Sequence, residues 1–248
     1  MPEYKPRRTR NLYTPGQDKP FKLSRTKVEA FIKCECCFYL DRRLGIKEVS
    51  GFPFNINSAV DELLKREFDQ YRERAEPHPY MVNAGVNAIP YQHENLDKWR
   101  ENFTGIQYHD ESSNLLLHGA VDDIWKLENG ELIVVDYKAT SKNDKVNINA
   151  PWQRGYKRQI EFYQWLLRKN GFKVSSTGYF VYCNGRRDLD TFNGRVEFDV
   201  DLLPYDGSDD WVENTIEKIV TCLNQDNIPE ANENCEQCKY NQEVNQYY

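Results

Sequence analysis

The stretch from Leu115 to Lys138, LLLHGAVDDIWKLENGELIVVDYK, decides the fold. Two apolar, β-branched runs carry Asp122 and Asp136, with thirteen residues between them. Leu115 to Leu127 predicts a strand, Glu128-Asn129-Gly130 a turn and Glu131 to Lys138 a second strand, because Asn-Gly between β-rich runs signals a hairpin. Strand side chains alternate with period two, so Leu132, Val134, Asp136 and Lys138 share one face. Asp136-Tyr137-Lys138 thus sets a carboxylate beside an ammonium at a strand end. A second carboxylate opposite would make a corner for a divalent cation, and aspartate oxygens are hard ligands suited to Mg²⁺. A two-residue turn sets Asp136 against Asp123, whereas one extra residue sets it against Asp122. Turn length alone leaves both open.

Outward from this hairpin the periodicity predicts helices on either side. Ser24 is placed to cap a helix running to about Leu40, with Val28, Phe31 and Ile32 at apolar helical spacing. A second helix, about Ile56 to Glu73, carries Val60, Leu63, Leu64 and Phe68 on one stripe. Glu76 to Pro90 holds three prolines and reads as irregular. Trp152 to Asn170 predicts another helix, closed by Gly171. On it Tyr156, Gln159 and Tyr163 fall at i, i+3 and i+7, a single polar-aromatic stripe. Thr177 to Tyr182 and Arg195 to Val200 read as later strands, and Trp211 to Leu223 as a last helix.

The chain of 248 residues suits one α/β domain over residues 21–248, preceded by a flexible basic arm over 1–20 that adds little to the core. It contains no apolar run near the roughly 20 residues that span a bilayer, so no membrane partner is expected. Met1 to Arg10 is basic and polar, unlike a signal peptide, which makes a cytoplasmic location the expectation. The net charge of -6 is unevenly spread. Residues 1–47 hold 12 Lys/Arg against 5 Asp/Glu, a net of +7, whereas residues 197–248 hold 2 against 13, a net of -11. Phosphate binding needs a local basic surface rather than a basic total. The sequence has neither a Gly-x-x-x-x-Gly-Lys phosphate loop nor a Gly-x-Gly-x-x-Gly fingerprint, so no nucleotide cofactor is expected.

Seven cysteines stand at 34, 36, 37, 183, 222, 235 and 238. Four form two Cys-x-x-Cys pairs, Cys34/Cys37 and Cys235/Cys238, a spacing that lets two thiolates reach one metal centre. Two pairs near opposite ends of the chain suggest a staple. Four thiolates suit either tetrahedral Zn²⁺ or a [4Fe-4S] cluster. Cys36 is an alternative ligand, while Cys183 and Cys222 read as buried thiols. The histidines, including His118 beside Gly119, have no partner at ligand spacing.

Taken in order, Gly119-x-x-Asp122, Asp136-x-Lys138 and Gln159-x-x-x-Tyr163 resemble the PD-(D/E)XK nuclease superfamily, and within it the RecB-like exonuclease and CRISPR-associated adaptation nuclease branch. The resemblance covers about Leu23 to Tyr240. It implies a restriction-endonuclease-like core, a mixed central sheet flanked by helices, here with cysteine-stapled N- and C-terminal segments. It selects Asp122 over Asp123, and implies that Asp122, Asp136 and the Tyr137 backbone carbonyl bind Mg or Mn. By the same resemblance Lys138 positions the attacking water, and Gln159 and Tyr163 orient substrate or the lysine. Where relatives often carry a histidine this chain has Asp61, a further candidate ligand. Some relatives hold a [4Fe-4S] cluster on one N-terminal and three C-terminal cysteines, whereas this chain has two and two. The resemblance favours [4Fe-4S] on Cys34, Cys37, Cys235 and Cys238, with zinc the alternative. The expected activity is metal-dependent hydrolysis of DNA, on single strands or ends. The alternative is a DNA-binding or adaptor subunit that needs a partner; the residues identify no protein partner.

Overall fold

The computed structural model describes residues 7–48 and 55–247. They form two compact units interleaved along the chain: Met1–Phe52, Gln107–His118 and Asp210–Tyr248 make one, and Pro53–Ile106 with Gly119–Asp209 the other. Among the described residues no helix is long and apolar enough to cross a membrane.

The first unit holds β1 (Phe21–Ser24), α1 (Arg25–Lys33), α2 (Glu35–Arg43), β3 (Ile106–Asp110), β4 (Leu115–Gly119), α7 (Trp211–Asn224) and α8 (Glu236–Val244). Its sheet runs β1-β4-β3, with β1 parallel to β4. Val28 and Phe31 of α1, Phe38 and Tyr39 of α2, and Val212, Ile216, Ile219 and Leu223 of α7 are buried. The helix expected to run unbroken to Leu40 is interrupted at Cys34, whose extended backbone (φ -163, ψ 110) ends α1. Cys34 then caps α2, its Sγ accepting the Cys37 N–H at 3.4 Å. The expectation that residues 1–20 add little to the core is corrected at Tyr13. Its ring is buried against Phe21, its N–H donates to the Arg42 carbonyl, and its hydroxyl donates to Asn224. One aromatic anchor outweighs the polar composition around it. Residues 1–6 lie outside the described residues.

The second unit holds α3 (Asn55–Arg74), α4 (Pro79–Asn83), β2 (Ala88–Pro90), α5 (Leu96–Arg100), β5 (Asp123–Leu127), β6 (Leu132–Thr140), α6 (Arg154–Lys169), β7 (Thr177–Gly185) and β8 (Phe198–Asp206). Its five-stranded sheet, β2-β5-β6-β7-β8, is mixed: β6 and β7 are parallel and the other pairs antiparallel. This is the mixed α/β fold expected. The single strand expected over Leu115 to Leu127 is instead two, in different sheets. It breaks at Ala120 to Asp122, where the Val121 N–H bonds the Trp99 carbonyl rather than a ladder partner. Gly105 abuts the break: a Cβ there would lie 2.4 Å from the Gly119 carbonyl oxygen, and its φ of +62 lies in the left-handed region that favours glycine. The strand expected from Arg195 starts at Phe198, because Asn193 and Gly194 (φ 46 and 73) turn the chain first. Glu76 to Pro90 is not wholly irregular, since it contains α4 and β2.

Side-chain alternation along β6 sorts the core. Ile133, Val135 and Tyr137 pack with Leu64 and Phe68 of α3, which leaves Leu132, Val134, Asp136 and Lys138 for the opposite face. There α6 comes so close that a Cβ on Gly178 would lie 2.6 Å from Ile160 Cγ2. On α3 the inward stripe is the partly buried Val60 and then the buried Leu64, Phe68 and Arg72, at i+4 steps. Leu63, expected on that stripe, is 61% exposed. Burying a side chain such as Phe68 contributes about 2–3 kcal/mol.

Arg72 ends in a buried ionic hub. The fully buried Asp123 carboxylate takes donors from Arg72, Arg100 (2.9 Å), the Tyr137 hydroxyl (2.9 Å), the Ile124 N–H (2.8 Å) and Trp125 Nε1 (3.3 Å). Asp69 pairs with the same two arginines. Removing one member of such a group leaves uncompensated buried charge, at a cost of about 3–5 kcal/mol. Asp123→Ala should therefore lower the unfolding free energy by that much in a urea titration, whereas Glu62→Ala on the exposed face of α3 should shift it by less than about 0.5 kcal/mol. Equal effects would remove the hub from the stability of this unit.

Candidate active site

The hairpin loop settles which aspartate faces Asp136. The Leu127 N–H bonds the Glu131 carbonyl and the Gly130 N–H bonds the Leu127 carbonyl, so the loop is the three residues Glu128, Asn129 and Gly130. Gly130 supplies the left-handed position (φ +86) that this loop class needs. The register Asp123↔Val135, extended by one residue, sets Asp122 across from Asp136. Adjacent strand residues point to opposite faces, so Asp123 enters the hub while Asp122 turns toward Asp136. Asp122 is pinned on two sides: its Oδ2 accepts the Tyr137 N–H at 2.8 Å, and its carbonyl accepts Arg100 Nε at 3.1 Å.

Asp136 is fully buried, yet neither of its carboxylate oxygens accepts a hydrogen bond among the described residues. Lys138 Nζ stands in ion-pair contact with its Oδ2. A buried carboxylate held by a single ammonium is under-satisfied, and the arrangement leaves oxygen lone pairs open to a cation. Burial, and then the nearby Asp136 carboxylate, push the Asp122 carboxyl up to about 6, against the pull of Lys138 and Lys65. Asp61 on α3 is likewise raised, by burial and then by Asp122. Between those two stands Lys65, whose Nζ lies 2.7 Å from Asp61 Oδ2 and 3.9 Å from Asp122 Oδ1. The hard oxygens of Asp122 and Asp136, with Asp61 nearby, fit a Mg²⁺-type ion that accepts few carboxylates and keeps its waters.

On the α6 side, Tyr156 lays its ring 4.7 Å from Lys138 Nζ. Gln159 donates to the Tyr163 hydroxyl at 3.3 Å, and Tyr163 is buried. Asn57, Val60, Asp61, Tyr137, Lys138, Ala139 and Tyr156 line a cleft of about 210 Å³. Asp61 thus shares the cleft with the lysine. A larger hollow of about 490 Å³ near Val82 and Ile89 is lined mainly by apolar side chains, with Lys126 and Glu128 its only charged ones. Trp152, 59% exposed, meets Tyr156 edge-on at 5.6 Å, and Lys142 lies over its indole. Sequence reasoning did not pick out Lys65, Arg100 or the buried Gln153, which bonds Tyr182, the residue paired with Lys138 across the sheet. Lys65 could have been found from its i+4 spacing to Asp61; Arg100 left no local signal.

In the first unit the two Cys-x-x-Cys pairs meet. Cys34 Sγ lies 3.6 Å from Cys238 Sγ, and Cys37 Sγ lies 3.7 Å from both Cys235 and Cys238. The four sulfurs fall within 4.8 Å of one another, the tightest gathering of possible metal ligands among the described residues. Cys36 is buried but stands outside the group of four, and burial raises the thiols of Cys183 and Cys222 to about 11 and about 12. His118 is buried in β4, where burial and then Lys22 lower its imidazole to about 4.

A mixed sheet carrying paired carboxylates and a lysine at a strand end is the arrangement of a phosphodiester-cleaving enzyme. A family model described as the PD-(D/E)XK nuclease superfamily matches residues 22–242, and the chain belongs to that superfamily. Membership implies hydrolysis of phosphodiester bonds in nucleic acid, with divalent metal. The comparison with curated proteins found no match. Among solved structures, one described as "Crystal structure of SSO0001" is similar, with 12% identity and a TM-score of 0.40, over 86% of this chain and 80% of that one.

The raised Asp122 has a measurable consequence. The folded chain keeps this proton between pH 3.8 and about 6, where an unfolded aspartate has lost it. The stability that this carboxyl contributes is therefore fully present below the unfolded value and is lost as pH rises to about 6, by on the order of 2–3 kcal/mol. Urea unfolding of chelator-treated protein across this range should show the decline, and Asp122→Asn should flatten it. A wild-type profile no steeper than that of Asp122→Asn would contradict the raised carboxyl.

Proposed function

We propose that this chain is a Mg- or Mn-dependent deoxyribonuclease of the RecB-like branch, acting on single-stranded DNA or DNA ends. The observation that carries the reading is the buried Asp136 carboxylate, across from Asp122 and in ion-pair contact with Lys138. Asp122, Asp136 and the Tyr137 carbonyl would hold the ion, with Asp61 as a further ligand. When bound, the ion supplies a Lewis acid that offsets charge on the phosphate and makes a bound water more acidic. Lys138 orients the attacking water and adds a fixed positive charge where the transition state gains negative charge. The Tyr156 ring steadies that ammonium by a cation–π contact. Gln159 and Tyr163 orient the substrate from the following helix.

Preference for single strands is supported by Trp152, an exposed aromatic in contact with Tyr156 at the cleft, with Lys142 over its ring. Exposed aromatics flanked by cations give unpaired bases a stacking platform, worth about 1–3 kcal/mol per base.

With Mg²⁺ or Mn²⁺, the purified chain should degrade end-labelled single strands, and Asp136→Ala should lower the rate about a hundred-fold or more. If wild type leaves both single strands and duplex intact, the nuclease reading fails and the DNA-binding subunit takes its place. Trp152→Ala should weaken single-strand binding roughly five- to hundred-fold at an unchanged maximal rate. An equal loss on blunt duplex would remove Trp152 as the source of the preference.

A further inference from the structure

The sulfur spacing carries an inference separate from the nuclease reading. A [4Fe-4S] cluster binds each thiolate to a different iron, so the four sulfurs stand around a cube of eight atoms. Here Cys34–Cys238, Cys37–Cys235 and Cys37–Cys238 stand 3.6–3.7 Å apart, and with all four sulfurs within 4.8 Å of one another no cube fits between them. A single tetrahedral ion with metal–sulfur bonds of about 2.3 Å places its ligands about 3.8 Å apart on each edge. The observed contacts match that edge. The cluster favoured by the resemblance therefore does not fit these residues.

We propose that Cys34, Cys37, Cys235 and Cys238 hold one zinc ion in a closed, structural site. All four ligands are soft thiolates, with no hard oxygen among them, and for one ligand set zinc binds more tightly than ferrous iron. The two pairs are built alike: Cys34 and Cys235 occupy the N-cap positions of α2 and α8, and Cys37 and Cys238 follow three residues later. Each helix start turns its positive end toward the thiolates. Binding releases the thiol protons to solvent, and the resulting complex is anionic. Arg8, Arg25, Lys27, Lys33 and Lys47 line the adjoining cavity of about 440 Å³, and outnumber its acids Glu29, Asp41 and Glu48. Four protein ligands leave no open position for chemistry. The ion instead ties α8 to the α1–α2 break, residues some 200 positions apart in sequence.

The test uses the full chain, expressed with iron and zinc both supplied and purified without oxygen. Metal and sulfide analysis should find one zinc per chain and no sulfide, and X-ray absorption should find four sulfurs at about 2.3 Å with no second metal nearby. Iron with acid-labile sulfide, a single iron, a metal-free chain, or nitrogen or oxygen in the ligand shell would each overturn the proposal. Cys238→Ser should lower zinc occupancy at least ten-fold, whereas Cys36→Ser should keep it. Loss of zinc in Cys36→Ser would overturn the ligand set. Should Cys238→Ser fail to fold, the wild-type absorption spectrum still decides. Each outcome is independent of nuclease activity.

Discussion

The buried carboxylate of Asp123 is the constraint on which the second unit depends. It draws Arg72 from α3, Arg100 from α5 and the Tyr137 hydroxyl from β6 onto one residue at the start of β5. A charge buried this deeply is tolerable only when donors surround it. Satisfying Asp123 therefore fixes two helices and two strands relative to one another. Arg100 also reaches the Asp122 carbonyl, so the hub sets the peptide that carries the neighbouring carboxylate.

The two adjacent aspartates divide the electrostatic work. Asp123 is saturated with five donors, while Asp136, across from Asp122, is buried with the Lys138 ammonium in contact with one of its oxygens. The contrast is produced by strand alternation: one step along the chain exchanges the hub for the cleft. Asp122 is repelled by both Asp136 and Asp61, and Lys65 and Lys138 offset part of that repulsion in the present structure. Such a site is preorganised for added positive charge, because its cost is met by the hub and the packed sheet beside it.

The cysteine centre arises from a different device. Residues 25–43 have the composition of one helix, yet the chain is extended at Cys34 and restarts. The break makes Cys34 a cap and points both members of its pair at the start of α2. An unbroken helix would have kept the same spacing without the cap, and the four sulfurs meet only because α8 approaches from the far end of the chain.

Short-range pattern made much of this legible. The hairpin, the mixed sheet with its flanking helices, the Asp-x-Lys strand end and the paired cysteines all rest on residues a few positions apart, where alternation, helical period and turn chemistry act directly. The rest depended on partners far away in sequence. Asp122 or Asp123 turned on one residue of loop length, and the loop's hydrogen bonds resolved it. Arg72 and Arg100 sit 51 and 23 residues from the carboxylate they satisfy, so no local pattern marks them. Leu63 joined an apolar stripe on paper and faces solvent in the fold, because the packed sheet selects which side of α3 is buried. Local propensity proposes the elements and the candidate ligands; burial, which no short window of sequence contains, assigns each charged group its partner.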